Sequence, residues 1–169
     1  MKKSMDVRKL VFLALMVAQS LVLYVIESLM PLPFVAPGAK LGLSNIVSLT
    51  ALLTFGLRDA FVIMFLRVMI SSLFWGGMSI FLYSIAGGVL SIIAMWIVIK
   101  IFGNKIGTTG ISITGAVAHN IGQLSIAAMV IENIKIFYYL PVLMGIAVPT
   151  GIFVGVCTGF MKKYVKKLI

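Results

Sequence analysis

Long apolar runs separated by short polar breaks set the architecture of this chain. A helix needs about 20 apolar residues to cross a bilayer core. Runs of that kind predict helices over about residues 10–30, 41–55, 60–75, 80–102, 111–131 and 138–161. The breaks carry turn chemistry: Pro31-Leu32-Pro33, Gly56-Leu57-Arg58-Asp59, Gly76-Gly77, Gly103-Asn104-Lys105 and Gly107-Thr108-Thr109-Gly110. Ser44, Asn45, Ser48 and Thr50 punctuate the short second run, so a helix there is not expected to face lipid all round. Pro141 and Pro149 are expected to interrupt the sixth run. Small residues recur at helical spacing. Ala14 and Ala18 share a face of the first run, Ser84, Gly87, Gly88 and Ser91 one of the fourth, and Gly151, Gly155 and Gly159 one of the sixth. Such stripes let helices approach closely in lipid. The pattern predicts an all-α polytopic membrane protein: one domain over residues 1–169, built as a six-transmembrane-helix bundle.

Composition sharpens this reading. The 169 residues are 62% hydrophobic and 11% charged, with mean hydropathy +1.18, more apolar surface than a soluble domain of this length can hide. The first apolar run is too long for a signal peptide and no small-residue cleavage site follows it, so it is expected to remain as a crossing. The net charge of +10 argues for membrane orientation rather than nucleic acid, because the charges lie at the ends and between the runs. Lys2, Lys3, Arg8, Lys9, Arg58, Lys100, Lys105, Lys162, Lys163, Lys166 and Lys167 would share one side, against Lys40 and Lys135 on the other. Both termini are therefore expected in the cytoplasm, with the protein in the cytoplasmic membrane. Cys157, the one cysteine, excludes an internal disulfide and is expected to pack in a helix. Tyr138-Tyr139 would start an aromatic belt.

Candidate chemistry is confined to a few polar groups within this apolar frame. Pro37-Gly38-Ala39-Lys40-Leu41-Gly42-Leu43-Ser44-Asn45 is the densest cluster of special residues, read either as the rim of a small-molecule site or as an ordinary interhelical loop with an interfacial lysine. Arg67 lies near the middle of the third run and needs a partner. That partner could be Glu27, helix-end carbonyls or a ligand anion. His119 and Gln123 are four apart and share a helix face, with Asn120 one step round; the small residues beside them suit either close packing or a pocket. Estimated depths of Lys40, Asn45, Arg67, His119, Asn120 and Gln123 overlap, so one outward-facing cavity with positive character could hold them all. It would take an anionic, part-apolar small molecule. Catalysis finds no template. The four acidic residues, Asp6, Glu27, Asp59 and Glu132, are dispersed, and no phosphate-binding glycine loop, metal-ligand spacing or nucleophile elbow is present.

Taken together, the 37–45 stretch, Arg67, Ala86-Gly87-Gly88 and Gly115-Ala116-Val117-Ala118-His119-Asn120-Ile121-Gly122-Gln123 resemble the Gx transporter family, whose members also carry the label heptaprenyl diphosphate synthase component I. The resemblance covers nearly all the chain. It implies kinship with the six-helix S components of energy-coupling factor (ECF) transporters, which capture vitamins near the outer face. Ala14 and Ala18 would then dock on a membrane coupling subunit. ATP would be used only by partner ATPases, and the chain itself would carry no cofactor. The synthase label implies a different role, as the membrane accessory subunit of a soluble prenyltransferase. Other relatives implied by the resemblance serve flavin- or quinone-linked extracellular electron transfer.

Overall fold

The computed structural model describes residues 7–29 and 42–168. Lys40 and most of the 37–45 stretch lie outside the described residues. The elements are α1 (Val7–Leu29), α2 (Asn45–Thr54), α3 (Leu57–Ser71) continued by a π-helical turn (Ser72–Gly76), α4 (Gly77–Phe102), α5 (Thr108–Ile131) and α6 (Leu140–Leu168). Short 3-10 turns occupy Gly103–Lys105 and Ile134–Tyr139, and no strand occurs among the described residues.

Four helical segments are long and apolar enough to cross a membrane: α1, α4, α5 and Ile134–Val165, which contains most of α6. The second predicted crossing falls short by length. At 10 residues, α2 spans about 15 Å, half of the roughly 30 Å core. Its position explains how a half-length helix is accommodated. Ser20 Oγ of α1 donates to the Ser44 carbonyl at 3.4 Å, about two and a half turns before the end of α1, so α2 begins deep in the bundle. Its other end meets the start of α1: the Phe12 and Phe55 rings lie 6.4 Å apart, and Lys9 pairs with Asp59 at 2.7 Å. All residues from Ile46 to Leu52 are buried. Backbone that stops inside a bilayer is tolerated when protein surrounds it, and α1, α3, α4 and α6 all pack against α2.

The sixth helix departs from expectation as well. Pro141 sits in its first turn, where a missing N–H costs nothing, and the helix runs unbroken through Pro149. Thr150 Oγ1 donates to the Ile146 carbonyl at 2.9 Å and lies 3.2 Å from that of Ala147, while the carbonyl that the missing Pro149 N–H would have met is that of Gly145. The helix also extends into the basic C-terminal stretch.

Glycines bring α4, α5 and α6 into one close-packed layer. A Cβ on Gly122 would lie 2.7 Å from the Ala86 carbonyl oxygen, one on Gly151 2.7 Å from Ile113 Cα, and one on Gly155 2.5 Å from Thr109 Cα. Gly159 is looser, 3.4 Å from Thr108 Oγ1. Gly87 and Gly88 of α4 face different neighbours, Gly87 the His119 ring of α5 and Gly88 the Met64 thioether of α3. On α1, Leu13, Met16, Val17, Ser20, Tyr24 and Glu27 form the buried face, whereas Ala14 and Ala18 lie on the exposed face.

Candidate functional site

The buried face of α3 explains why a charge sits in the core. Ala60, Ile63, Met64, Arg67, Val68 and Ser71 recur at three- and four-residue intervals, so they form one inward stripe. Arg67 is on that stripe and only 3% exposed. Glu27, near the end of α1, is 4% exposed, and its carboxylate accepts the Gly42 N–H. Gly42 has a φ of 80°, a conformation suited to glycine, and opens the turn into α2. The Glu27 carboxylate, and after it the Tyr24 phenol, are close enough to act electrostatically on the Arg67 guanidinium. Among the described residues Arg67 Nε has no hydrogen-bond partner.

His119 reaches the same region from α5. Its ring packs against Gly87, one residue from the Gly88 that receives Met64, and it lies within electrostatic reach of Arg67. A Cβ at Gly87 would be 2.9 Å from His119 Nδ1 and 3.0 Å from Gln123 Cγ, so His119 and Gln123 flank one glycine, as their spacing predicts. His119 Nδ1 is buried beside the Gly87 backbone and makes no full hydrogen bond among the described residues. Asn120 points elsewhere: its Nδ2 donates to the Leu143 carbonyl of α6 at 3.2 Å.

Asn45 lines a small cavity apart from these residues. Together with Gly42, Ser91, Ser112, Gly115 and Thr150 it borders a cavity of about 10 Å³, room for one water. Ser91 Oγ, on this wall, and Ser48 Oγ are buried without partners among the described residues. Ser91 is one turn along α4 from Gly87, and Gly115 one turn along α5 from His119, so the chamber and the Arg67 cluster lie about one helical turn apart.

Of the predicted site residues, His119 and Gln123 thus flank Gly87, and Arg67 lies within electrostatic reach of His119. Asn45 faces the neighbouring chamber, Asn120 ties α5 to α6, and Lys40 lies outside the described residues. Sequence reasoning missed Tyr24, for which helical phase was the available signal, three residues before Glu27; it read Ser48 as a polar interruption of the second run and Ser91 as part of a packing face rather than as site residues.

Arg67 offers a guanidinium whose Nε–H has no partner among the described residues, with the His119 imidazole and the Glu27 carboxylate in electrostatic reach. Among the described residues, no group of three or more His, Cys, Asp or Glu side chains is placed to hold a metal ion.

Comparison with curated proteins and with solved structures returns no match. The family model described as heptaprenyl diphosphate synthase component I matches residues 16–161. That span contains Glu27, Arg67, His119 and all the helix-packing glycines described above, and the chain belongs to the heptaprenyl diphosphate synthase component I family.

Proposed function

We propose that this protein is a non-catalytic membrane component that captures an anionic, part-apolar small molecule and works with partner subunits, in the manner of an ECF S component. The observation that carries this reading is Arg67. The guanidinium is nearly fully buried, with Glu27 as the carboxylate and His119 as the imidazole in electrostatic reach, and its Nε–H, unpartnered among the described residues, is a donor that a bound anion would satisfy. Gln123 shares the Gly87 contact with His119. Asn45, Asn120 and Lys40 belong to the surrounding polar interior and rim. In this reading the chain crosses the membrane six times, with α2 shielded by its neighbours, α3 presenting one face to lipid, and both termini in the cytoplasm. Any ATP is hydrolysed by the partners.

The family name favours a second reading: a membrane accessory subunit that binds an isoprenoid or quinone precursor for a soluble prenyltransferase subunit. The same anion-binding interior serves either role, and the partner distinguishes them. Affinity purification from native membranes, followed by native mass spectrometry, tests both. The expected result is an acidic small molecule bound to the protein, with co-isolated ATPases under the first reading or a soluble prenyltransferase under the second. Purification without any acidic adduct, under conditions that keep the helices folded, contradicts the capture role. For orientation, a Lys105→Cys variant should resist a membrane-impermeant thiol reagent in intact cells; labelling from outside would place that loop, and with it the termini, on the outer side.

A further inference from the structure

The last turns of α6 combine a lipid-facing surface with a pair of lysines. Ile152, Phe153, Val156, Phe160 and Tyr164 are each more than 40% exposed. At 3.6 residues per turn they fall within one arc of about 120° around the helix. Lys163 and Lys167 are exposed as well, and the same spacing puts both inside that arc, one turn apart. Val154, Thr158 and Val165 lie on the opposite side and are buried, so the helix stays docked on the bundle as far as its basic end. From Ile152 to Lys163 the arc runs for about 16 Å, close to half of the roughly 30 Å bilayer core. That is the reach of one lipid leaflet, with the lysines at its headgroup level. The chain offers them no carboxylate there. Asp59 pairs with Lys9 at 2.7 Å, Glu27 is buried, and Glu132 caps the far end of α5, which runs antiparallel to α6. Among the described residues neither Lys163 nor Lys167 has an ion-pair partner.

We propose that the exposed arc of α6 seats an anionic phospholipid, with its chains along Ile152 to Phe160 and its phosphate held between Lys163 and Lys167. The site lies on the outer surface of the bundle and is independent of Arg67. Charge complementarity selects the head. Like charges one helical turn apart repel each other, and an anion between them removes that repulsion. Lysine stems lie along apolar surface while their ammonium groups reach the headgroup. Phosphatidylcholine brings a quaternary ammonium with its phosphate and has no net charge, so two lysines favour a head of net negative charge. The arrangement also separates a lipid from an acidic protein partner. Phe160 and Tyr164 share the arc with the lysines, and an aromatic pair exposed among basic groups suits the bilayer interface.

Native mass spectrometry of the full-length protein tests the proposal. The protein is released from nanodiscs made of equal parts phosphatidylcholine and phosphatidylglycerol with identical chains, and the lipids that remain bound are counted. Retained phosphatidylglycerol is expected to exceed phosphatidylcholine about tenfold, the scale of two lysines acting on an anionic head. The double variant Lys163→Gln/Lys167→Gln alters exposed side chains only and is expected to bring the ratio close to one. Lys135→Gln, before the other end of α6, is expected to leave the tenfold preference in place. Equal retention of the two lipids by the wild type means that the lysines are merely solvated and overturns the inference. A preference that survives in the double variant places the lipid elsewhere and overturns it too. Loss of the preference in Lys135→Gln would make it an effect of overall charge rather than of a site, with the same consequence. A double variant that keeps the preference but loses a co-purified soluble subunit assigns the lysines to that protein instead, and overturns the inference.

Discussion

At the scale of single residues, the interior is organised by Arg67 and Glu27. A charge near the bilayer centre costs about 2.5–3.5 kcal/mol on insertion scales. The Glu27 carboxylate offsets this by facing the guanidinium while also accepting the Gly42 N–H, so it links α1, the turn into α2 and α3. Removing one member of a buried pair costs more than the pair contributes, because the other charge is left uncompensated. Glu27→Leu is therefore expected to destabilise the protein by about 3–5 kcal/mol, and Glu27→Gln, which keeps an acceptor for Gly42, by less. Unfolding titrations in mixed micelles measure this, and a loss for Glu27→Leu within about 0.5 kcal/mol of zero contradicts the pairing. Much of this arrangement was legible in sequence. Arg67 stood out as a charge inside an apolar run, and the i, i+4 spacing of His119 and Gln123 put them on one face. The role of Glu27 toward Gly42 was not legible, because it depends on a contact across a turn rather than on helical phase. Asn120 was misleading in a similar way: proximity in sequence to His119 concealed that its amide reaches α6.

At the scale of elements, the glycine crossings decide how closely α4, α5 and α6 can pack. The Cβ of a residue replacing Gly122 meets backbone, which cannot rotate away, whereas Gly145 faces open space with nothing within 4 Å. Gly122→Val is expected to force the helices apart at a cost of about 1–3 kcal/mol. Gly145→Ala should be nearly neutral or slightly stabilising. Thermal unfolding of the two variants in the same detergent checks the contrast; equal stability would mean that α4 and α5 do not cross at Gly122. The small-residue stripes announced these contacts because closely packed membrane helices need them. Run length located the helices but misjudged α2, since a count of apolar residues cannot show that Ser44 starts at the level of Ser20. It also treated Pro149 as a break, although α6 continues through it.

At the scale of the whole molecule, the polar interior is enclosed by surfaces suited to lipid, and one helix face is free of core duties. Ala14 and Ala18 lie on the exposed side of α1, opposite the residues that pack inward. As the proposed docking face for a membrane partner, they can be changed without touching the core. Ala18→Trp is expected to leave folding and ligand binding intact and to reduce co-purification of a coupling subunit by about tenfold. Undiminished co-purification would place the partner on another face.

The most direct measurement is the affinity of the purified protein for its co-purified acidic ligand, compared between wild type and Arg67→Met in nanodiscs. Circular dichroism should accompany it to verify the helices, together with an Arg67→Met/Glu27→Gln double variant that leaves no unpaired carboxylate. A hydrogen bond to a charged group contributes about 1.5–3 kcal/mol, so Arg67→Met is expected to weaken binding by about ten- to a hundredfold in both backgrounds. Unchanged affinity in a folded Arg67→Met protein would contradict an anion site at Arg67.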